Sequence, residues 1–296
     1  MKFLRLAAAA AAVLTPALPA TAVTLPDADP AMWVVKDKDT TVYLFGTFHV
    51  LDGKSDWFND EVKQAFDRSD EIVMEAIIPE DPTTLAPMMA KYALSASGKP
   101  LTERLSPEAR AKLVKVLGAS GIPAAALDKM KPGFAGMTIA LIPYQQAGMT
   151  AEHGTEKTLA TAAKSANKPV GELEGIENQL KMLEKIPESA HLRSLEEVLA
   201  KFEELPAIIT DMKTNWNAGN ADGFAKLMNE MQANSPEMFK VMLTDRNSNW
   251  AEWIDQRMDK PGTVFVAVGT AHLAGKDSVQ EFLTRRGINS SRVPAS

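Results

Sequence analysis

Residues 41–50 read TVYLFGTFHV, and residues 264–273 read VFVAVGTAHL. Each is an apolar run rich in β-branched and aromatic residues that stops at Gly-Thr and carries a histidine three places after the glycine. The chain holds 17 Gly and 4 His in 296 residues. Random order would produce only about 0.23 Gly-x-x-His, so two copies in one frame are a signal. A glycine closing a buried strand permits a sharp turn and close backbone approach. A side chain three residues on then stands over the carboxyl end of a sheet, where ligands of open α/β sheets collect. His49 and His272, set up by Gly46 and Gly269, are therefore expected to face one crevice.

Working outward, residues 32–36 (MWVVK) and 41–46 (TVYLFG) around the charged KDKDT predict a hairpin. A helix is expected over residues 55–67, with Trp57, Phe58, Val62, Ala65 and Phe66 as its apolar stripe. Residues 71–76 (EIVMEA) follow as a buried strand with Glu75 at its end. From residue 82 to about 166 the pattern is helical, with stops at Gly98-Lys99-Pro100, Gly121-Ile122-Pro123 and Pro132-Gly133. Residues 168–173 return to strand character, 176–183 to helix, and 194–258 to a run of helices. The continuous apolar run 263–268 is the kind found in a strand covered on both faces. A short helix at 279–286 and a closing strand at 290–293 complete the chain. The expected fold class is α/β: a mixed sheet built from N- and C-terminal strands, with a large helical insertion or lobe over about 82–258.

Residues 1–22 read as a secretory signal peptide, with Lys2 and Arg5, an apolar stretch at 6–14 and Ala20-Thr21-Ala22 as the cleavage site. The expected organisation is this signal followed by one domain over 23–296, in a periplasmic or secreted protein. There are no cysteines, so lipid attachment at a cysteine, disulfides and thiolate chemistry are excluded. The apolar stretch is too short to span a bilayer, and no later run reaches 18 apolar residues, so no transmembrane segment is expected. The formal charge is -6 with a pI near 5.4, which gives a nucleic-acid partner no electrostatic support.

Two neutral imidazoles and one carboxylate form a ligand set for a divalent metal with open positions. His49, His272 and Glu75 thus suit Zn, Mn, Fe or Co without selecting among them, and Glu75 is an alternative general base. A metal-bound water has a lowered pKa and becomes a nucleophile near neutral pH. No HExxH helix signature occurs. The plainer alternatives are two histidines hydrogen-bonded inside strand-end turns and a Glu75 that caps a turn or pairs with a cation. His153 and His191 lack matched context and read as exposed or capping residues. Met212, Met228, Met231, Met238, Met242 and Met258 read as helix core filler.

With the paired GTxH motifs, the Glu75 strand, the LEGIENQ element at 173–179, the Arg246-Asn247 pair and the GTAHLAG ending, the chain resembles the TraB/GumN family. That family is related to the Tiki metalloproteases and, more distantly, to ChaN-like haem-binding proteins. The resemblance implies an exported divalent-metal-dependent hydrolase, peptidase-like, with metal ligands His49, His272 and Glu75. It adds Arg246 as a basic residue at the site, Asn247 as its positioning partner and Glu174 in support. Many relatives carry an Asp in the short element near Gly154 and a Glu followed by Thr near Leu173. This chain has Glu156 and Gly175 there. The other readings the resemblance leaves open are a haem- or metal-binding protein without turnover and a polysaccharide-associated accessory factor. Substrate and oligomeric state stay open.

Overall fold

The computed structural model describes residues 24–79 and 81–295; the expected signal peptide lies outside the described residues. The sheet is mixed, with strand order β4-β3-β5-β2-β1-β6. Its members are β1 Met32–Lys36, β2 Thr40–Thr47, β3 Glu71–Met74, β4 Val170–Glu172, β5 Gly262–Gly269 and β6 Ser290–Arg292. β1 and β2 are the expected hairpin, with Met32 opposite Phe45 and Lys36 opposite Thr41. β2, β5, β3 and β4 run parallel, and β6 closes the far edge antiparallel to β1. The architecture is α/β with a large helical portion, and the sheet draws its central strands from both ends of the chain.

The continuous apolar run predicted a doubly covered strand, and β5 is one: Val264 to Val268 are each at most 1% exposed. Burial of side chains of this size contributes about 1.5–3 kcal/mol each. Tyr43, Phe45, Ile72, Met74 and Phe265 face helices Asp60–Arg68, Thr155–Ser165 and Leu205–Asn217 through Phe66, Leu159 and Trp216. Leu44, Val73, Val264, Val266 and Val268 face helix Asp245–Met258 through Trp250, Ala251 and Ile254. A separate core built from Leu101, Leu113, Leu117, Ile139, Leu195 and Leu199 holds the helical lobe together. Among the described residues no helix is long and apolar enough to cross a membrane.

Two local expectations need correction. The helix expected from residue 55 starts at Asp60. Asp56 bridges to Asp27, donating to the Pro26 carbonyl at 2.8 Å while its own carbonyl accepts from Ala28 at 3.0 Å. This pairing outcompetes a helical first turn. Trp57 stays buried, its ring stacked on Phe45 at 5.5 Å. Pro132-Gly133, read as a stop, instead opens helix Pro132–Gln146. Proline suits a first turn, where its missing N–H would have no helical partner.

Candidate functional site

The site lies at the carboxyl ends of β2, β5 and β3. Beyond β2, Phe48 donates its N–H to Thr155 Oγ1 at 3.0 Å, and Thr155 donates its own to the Phe48 carbonyl at 3.2 Å. The N-terminus of helix Thr155–Ser165 is thereby pressed onto the strand end. Gly154 permits the contact: a Cβ there would stand 2.2 Å from the His49 carbonyl oxygen. The docked helix sets Glu156 Oε1 2.7 Å from His49 Nδ1. The Glu156 charge raises the His49 imidazole to about 9, although the ring is 68% exposed and solvent screens that pull. Burial raises the Glu156 carboxyl, but the His49 charge and hydrogen bond leave it lowered.

β5 ends in a 3₁₀ turn, Thr270–Leu273, which carries His272 inward to 5% exposure. Its Nδ1 lies 2.5 Å from Asn247 Oδ1, and Asn247 Nδ2 donates to the Asp277 carbonyl at 2.6 Å. Its Nε2 lies 3.1 Å from Arg246 Nη1. A guanidinium has only donors, so Nε2 accepts and Nδ1 carries the proton. The ring is neutral, and burial pushes its pKa down to about 3. Trp250 packs on it at 4.4 Å between ring centres.

Glu75 follows β3. Its Oε1 accepts from the Gly269 N–H at 2.6 Å, and its Oε2 accepts from Arg246 Nη2 at 2.5 Å and Gln179 Nε2 at 3.2 Å. Burial alone would raise this carboxyl. Charge from His272, Arg246 and His49, with the Gly269 N–H, holds it at about 2. Since His272 is neutral at pH 7, the charges of Arg246 and His49 are the ones that count there. Arg246 is itself tied down: Nε donates to both Glu174 oxygens at 3.0 and 3.1 Å, and Nη1 also donates to the Met242 carbonyl at 3.1 Å. Met242 belongs to a π-helical turn, Lys240–Thr244, directly before the helix that carries Arg246 and Asn247.

The two motif glycines are not equivalent. Thr47 pairs with Gly269 and Gly46 with Val268, and this one-residue offset turns the glycines to opposite faces. A Cβ on Gly46 would meet Thr270 Oγ1 at 2.9 Å, away from the cluster, and the Gly46 carbonyl accepts from Trp216 Nε1 at 2.8 Å. A Cβ on Gly269 would stand in the middle of the cluster, 3.3 Å from Glu75 Oε1, 3.6 Å from His272 Cδ2 and 3.6 Å from His49 Nε2. The two imidazoles therefore share one pocket with Glu75.

The sequence profile of the TraB/PrgY/gumN family matches residues 31–292. The chain belongs to this family. Among curated proteins it is similar to one printed as "Uncharacterized protein YbaP" from Escherichia coli (strain K12), at 27% identity over 255 residues, 86% of this chain and 92% of the relative. A protein of the same printed name from Shigella flexneri matches with the same identity and coverage. No solved structure matches the chain.

His49, His272, Glu75, Glu174, Arg246, Asn247 and Gly269 thus meet in one cluster, while Gly46 supports it from the other face. Glu156 and Gln179 belong to the same cluster. Glu156 was visible in the sequence only as a departure from the pattern of relatives, and Gln179 only as the end of LEGIENQ. His153 is exposed, as expected. His191, expected to be exposed or capping, is 8% exposed, with Nε2 2.9 Å from the Leu183 carbonyl. The lobe core closes around it. Met212, Met228, Met231 and Met242 belong to the core under the sheet and Met258 to the core above it. Met238 lines a lobe cavity.

Among the described residues no group of three His, Asp or Glu side chains is placed so that it could hold a metal ion as it stands. The donor chemistry nonetheless fits a divalent ion. Each imidazole has its Nδ1 engaged by an oxygen of Glu156 or Asn247, the outer bracing that metal-ligating histidines show. Both Nε2 atoms are left on the side of Glu75. The competitor is Arg246, whose Nη1 donates to the His272 lone pair that an ion would need.

Proposed function

We propose that the chain is an exported, divalent-metal-dependent hydrolase of the peptidase kind. The observation that carries this reading is the meeting of His49 Nε2, His272 and Glu75 around the missing side chain of Gly269. His49, His272 and Glu75 would hold the ion. A bound Zn, Mn, Co or Fe supplies a water of lowered pKa and polarises a carbonyl.

The chain's own residues prepare that site. Asn247 keeps the His272 proton on Nδ1, and Glu156 does the same for His49 once its second proton leaves. Arg246 and Gln179 keep Glu75 ionised and aimed at the pocket. His49, largely exposed, forms the solvent side, and His272, packed under Trp250, forms the dry floor. For His272 Nε2 to serve as a ligand, Arg246 Nη1 would have to give up its hydrogen bond to that atom, while the two bonds from its Nε to Glu174 would keep the guanidinium in place.

The test is metal content and turnover measured together. Purified protein titrated with Mn²⁺, Co²⁺ or Zn²⁺ takes up one ion per chain and cleaves members of a peptide library, read by mass spectrometry. His49→Ala and His272→Ala lose both. Uptake without cleavage would replace hydrolysis with metal storage, a Soret band on adding haem would replace it with haem binding, and no uptake of any ion would end the reading.

A further inference from the structure

Arg246 is fixed from every side. Its side chain is 6% exposed, and its guanidinium carbon lies 4.7 Å over the ring of Trp250, which also packs on His272. Nε donates to both oxygens of Glu174, Nη2 to Glu75 Oε2 at 2.5 Å, and Nη1 to the Met242 carbonyl and to His272 Nε2, at 3.1 Å each. A salt bridge tying helix Asp245–Met258 to two carboxylates accounts for the contacts with Glu75 and Glu174. It does not account for the bond to His272, because neither carboxylate needs an imidazole beside it.

A neutral imidazole has one bare nitrogen, with a single lone pair. Nη1 holds that lone pair in His272, so an ion and Arg246 cannot both have it. The neighbouring geometry does not oppose an ion. His272 Nε2 lies 3.8 Å from Glu75 Oε1, and donors each about 2.0–2.2 Å from a shared zinc stand up to about 4 Å apart. Arg246 takes Glu75 by Oε2, and the Gly269 N–H uses only one of the two lone pairs of Oε1. The contest is therefore over one nitrogen, and over charge: Arg246 is the single guanidinium between two anionic groups, Glu75 and Glu174.

The same bond also prepares the ring. A guanidinium only donates, so while Arg246 is in place His272 keeps its proton on Nδ1, toward Asn247, and Nε2 stays bare. Arg246 thus covers the ligand atom and holds the ring in the tautomer that a metal can use.

We infer that Arg246 is a built-in competitor for the ion: it occupies His272 Nε2 until divalent metal is abundant enough to displace it, and so sets the concentration at which the cluster loads. The inference rests on the metal-hydrolase reading and adds a loading threshold to it, whichever bond is cleaved.

The experiment measures ion affinity without substrate, by calorimetric titration of Mn²⁺ and Zn²⁺ into the unaltered chain, Arg246→Met and Arg246→Lys. Methionine frees Nε2 and leaves the two carboxylates unopposed, so Arg246→Met binds the ion about tenfold tighter. Its melting temperature also rises with added ion by more than that of the unaltered chain, since a ligand of the folded state stabilises it more the tighter it binds. Arg246→Lys keeps the charge but offers one nitrogen in place of the fork, so it gains affinity by a smaller factor and serves if the methionine variant does not fold. In the unaltered chain, Zn²⁺ shifts the ¹⁵N resonance of His272 Nε2 while Nδ1 keeps its proton. A residue that only bridges carboxylates gives the opposite result, with ion affinity unchanged or lowered when it is lost. If the unaltered chain loads and neither variant loads more tightly, the proposal is overturned and the metal-hydrolase reading stands. If none of the three takes up an ion, both fall.

Discussion

Alanine at the two motif glycines is expected to separate folding from site chemistry. At Gly46 the new methyl would lie 2.9 Å from Thr270 Oγ1 and 3.3 Å from Thr270 Cα, and the backbone atom cannot swing aside. Overpacking of this kind costs about 1–3 kcal/mol. For a chain of this size each kcal/mol moves the melting temperature by about 2–4 °C, so a 2 kcal/mol loss in Gly46→Ala lowers it by roughly 4–8 °C. Gly269 has φ -51° and ψ 136°, a conformation open to any L-residue. Its tightest new contact is Glu75 Oε1 at 3.3 Å, the end of a side chain that gives by a few tenths of an ångström. Gly269→Ala therefore loses less than about 1 kcal/mol. Its methyl nevertheless sits between Glu75 and the two imidazoles, and divalent-metal uptake falls at least tenfold. Urea unfolding and calorimetric metal titration on the same preparations measure both quantities. Equal destabilisation by the two substitutions, or unchanged metal uptake in Gly269→Ala, would refute the face assignment on which the site rests.

Three further outcomes follow from the ion pairs. Glu156→Gln returns the His49 pKa from about 9 toward its ordinary 6.5, followed by imidazole C–H chemical shifts. Because the folded value is the higher one, this pair's stabilisation is complete below about 6.5 and fades as pH rises through about 9, a slope that Glu156→Gln abolishes. Asp52 lies 2.6 Å from Lys213, with side chains 11% and 19% exposed. Burial raises its carboxyl, but the hydrogen bond from Lys213 leaves it lowered. Its contribution is present above the unfolded value of about 3.9 and lost as pH falls through the lower folded value. Asp52→Asn costs about 1.5–3 kcal/mol at pH 7 and flattens the acid limb, measured by urea titration at pH 7 and pH 3. Arg246→Met leaves Glu75 and Glu174 facing each other without a cation and costs about 3–5 kcal/mol, seen as a melting temperature more than 6 °C lower.

Strand content and the meeting of the chain ends in one sheet were legible because β2 and β5 each carry an apolar run that stops at the same Gly-Thr. The sequence also marked Glu75, since a carboxylate that follows EIVM falls at the carboxyl end of a buried strand. The register was not legible. Local pattern cannot say that Thr47, and not Gly46, lies opposite Gly269, and that single offset decides which glycine faces the chemistry. Asp56 shows the same limit: its pairing with Asp27 comes from another segment and overrides a good helical stripe. Glu156 became legible only when helix Thr155–Ser165 was seen docked on Phe48. His191 reads as exposed or capping because nothing adjacent to it in sequence shows that the lobe core closes around it.

β5 is flanked by β3 and β2, yet it is the next-to-last strand that a ribosome delivers. Until residues 262–269 arrive, β2 and β3 each present a bare hydrogen-bonding edge and wide apolar faces, the surfaces through which chains stick to one another. Truncation anywhere before residue 262 therefore removes the keystone instead of trimming an end. Such fragments are expected to depend on holdase protection and to accumulate as aggregates, whereas truncation after Val293, whose N–H still pairs with the Met32 carbonyl at 2.9 Å, is tolerated.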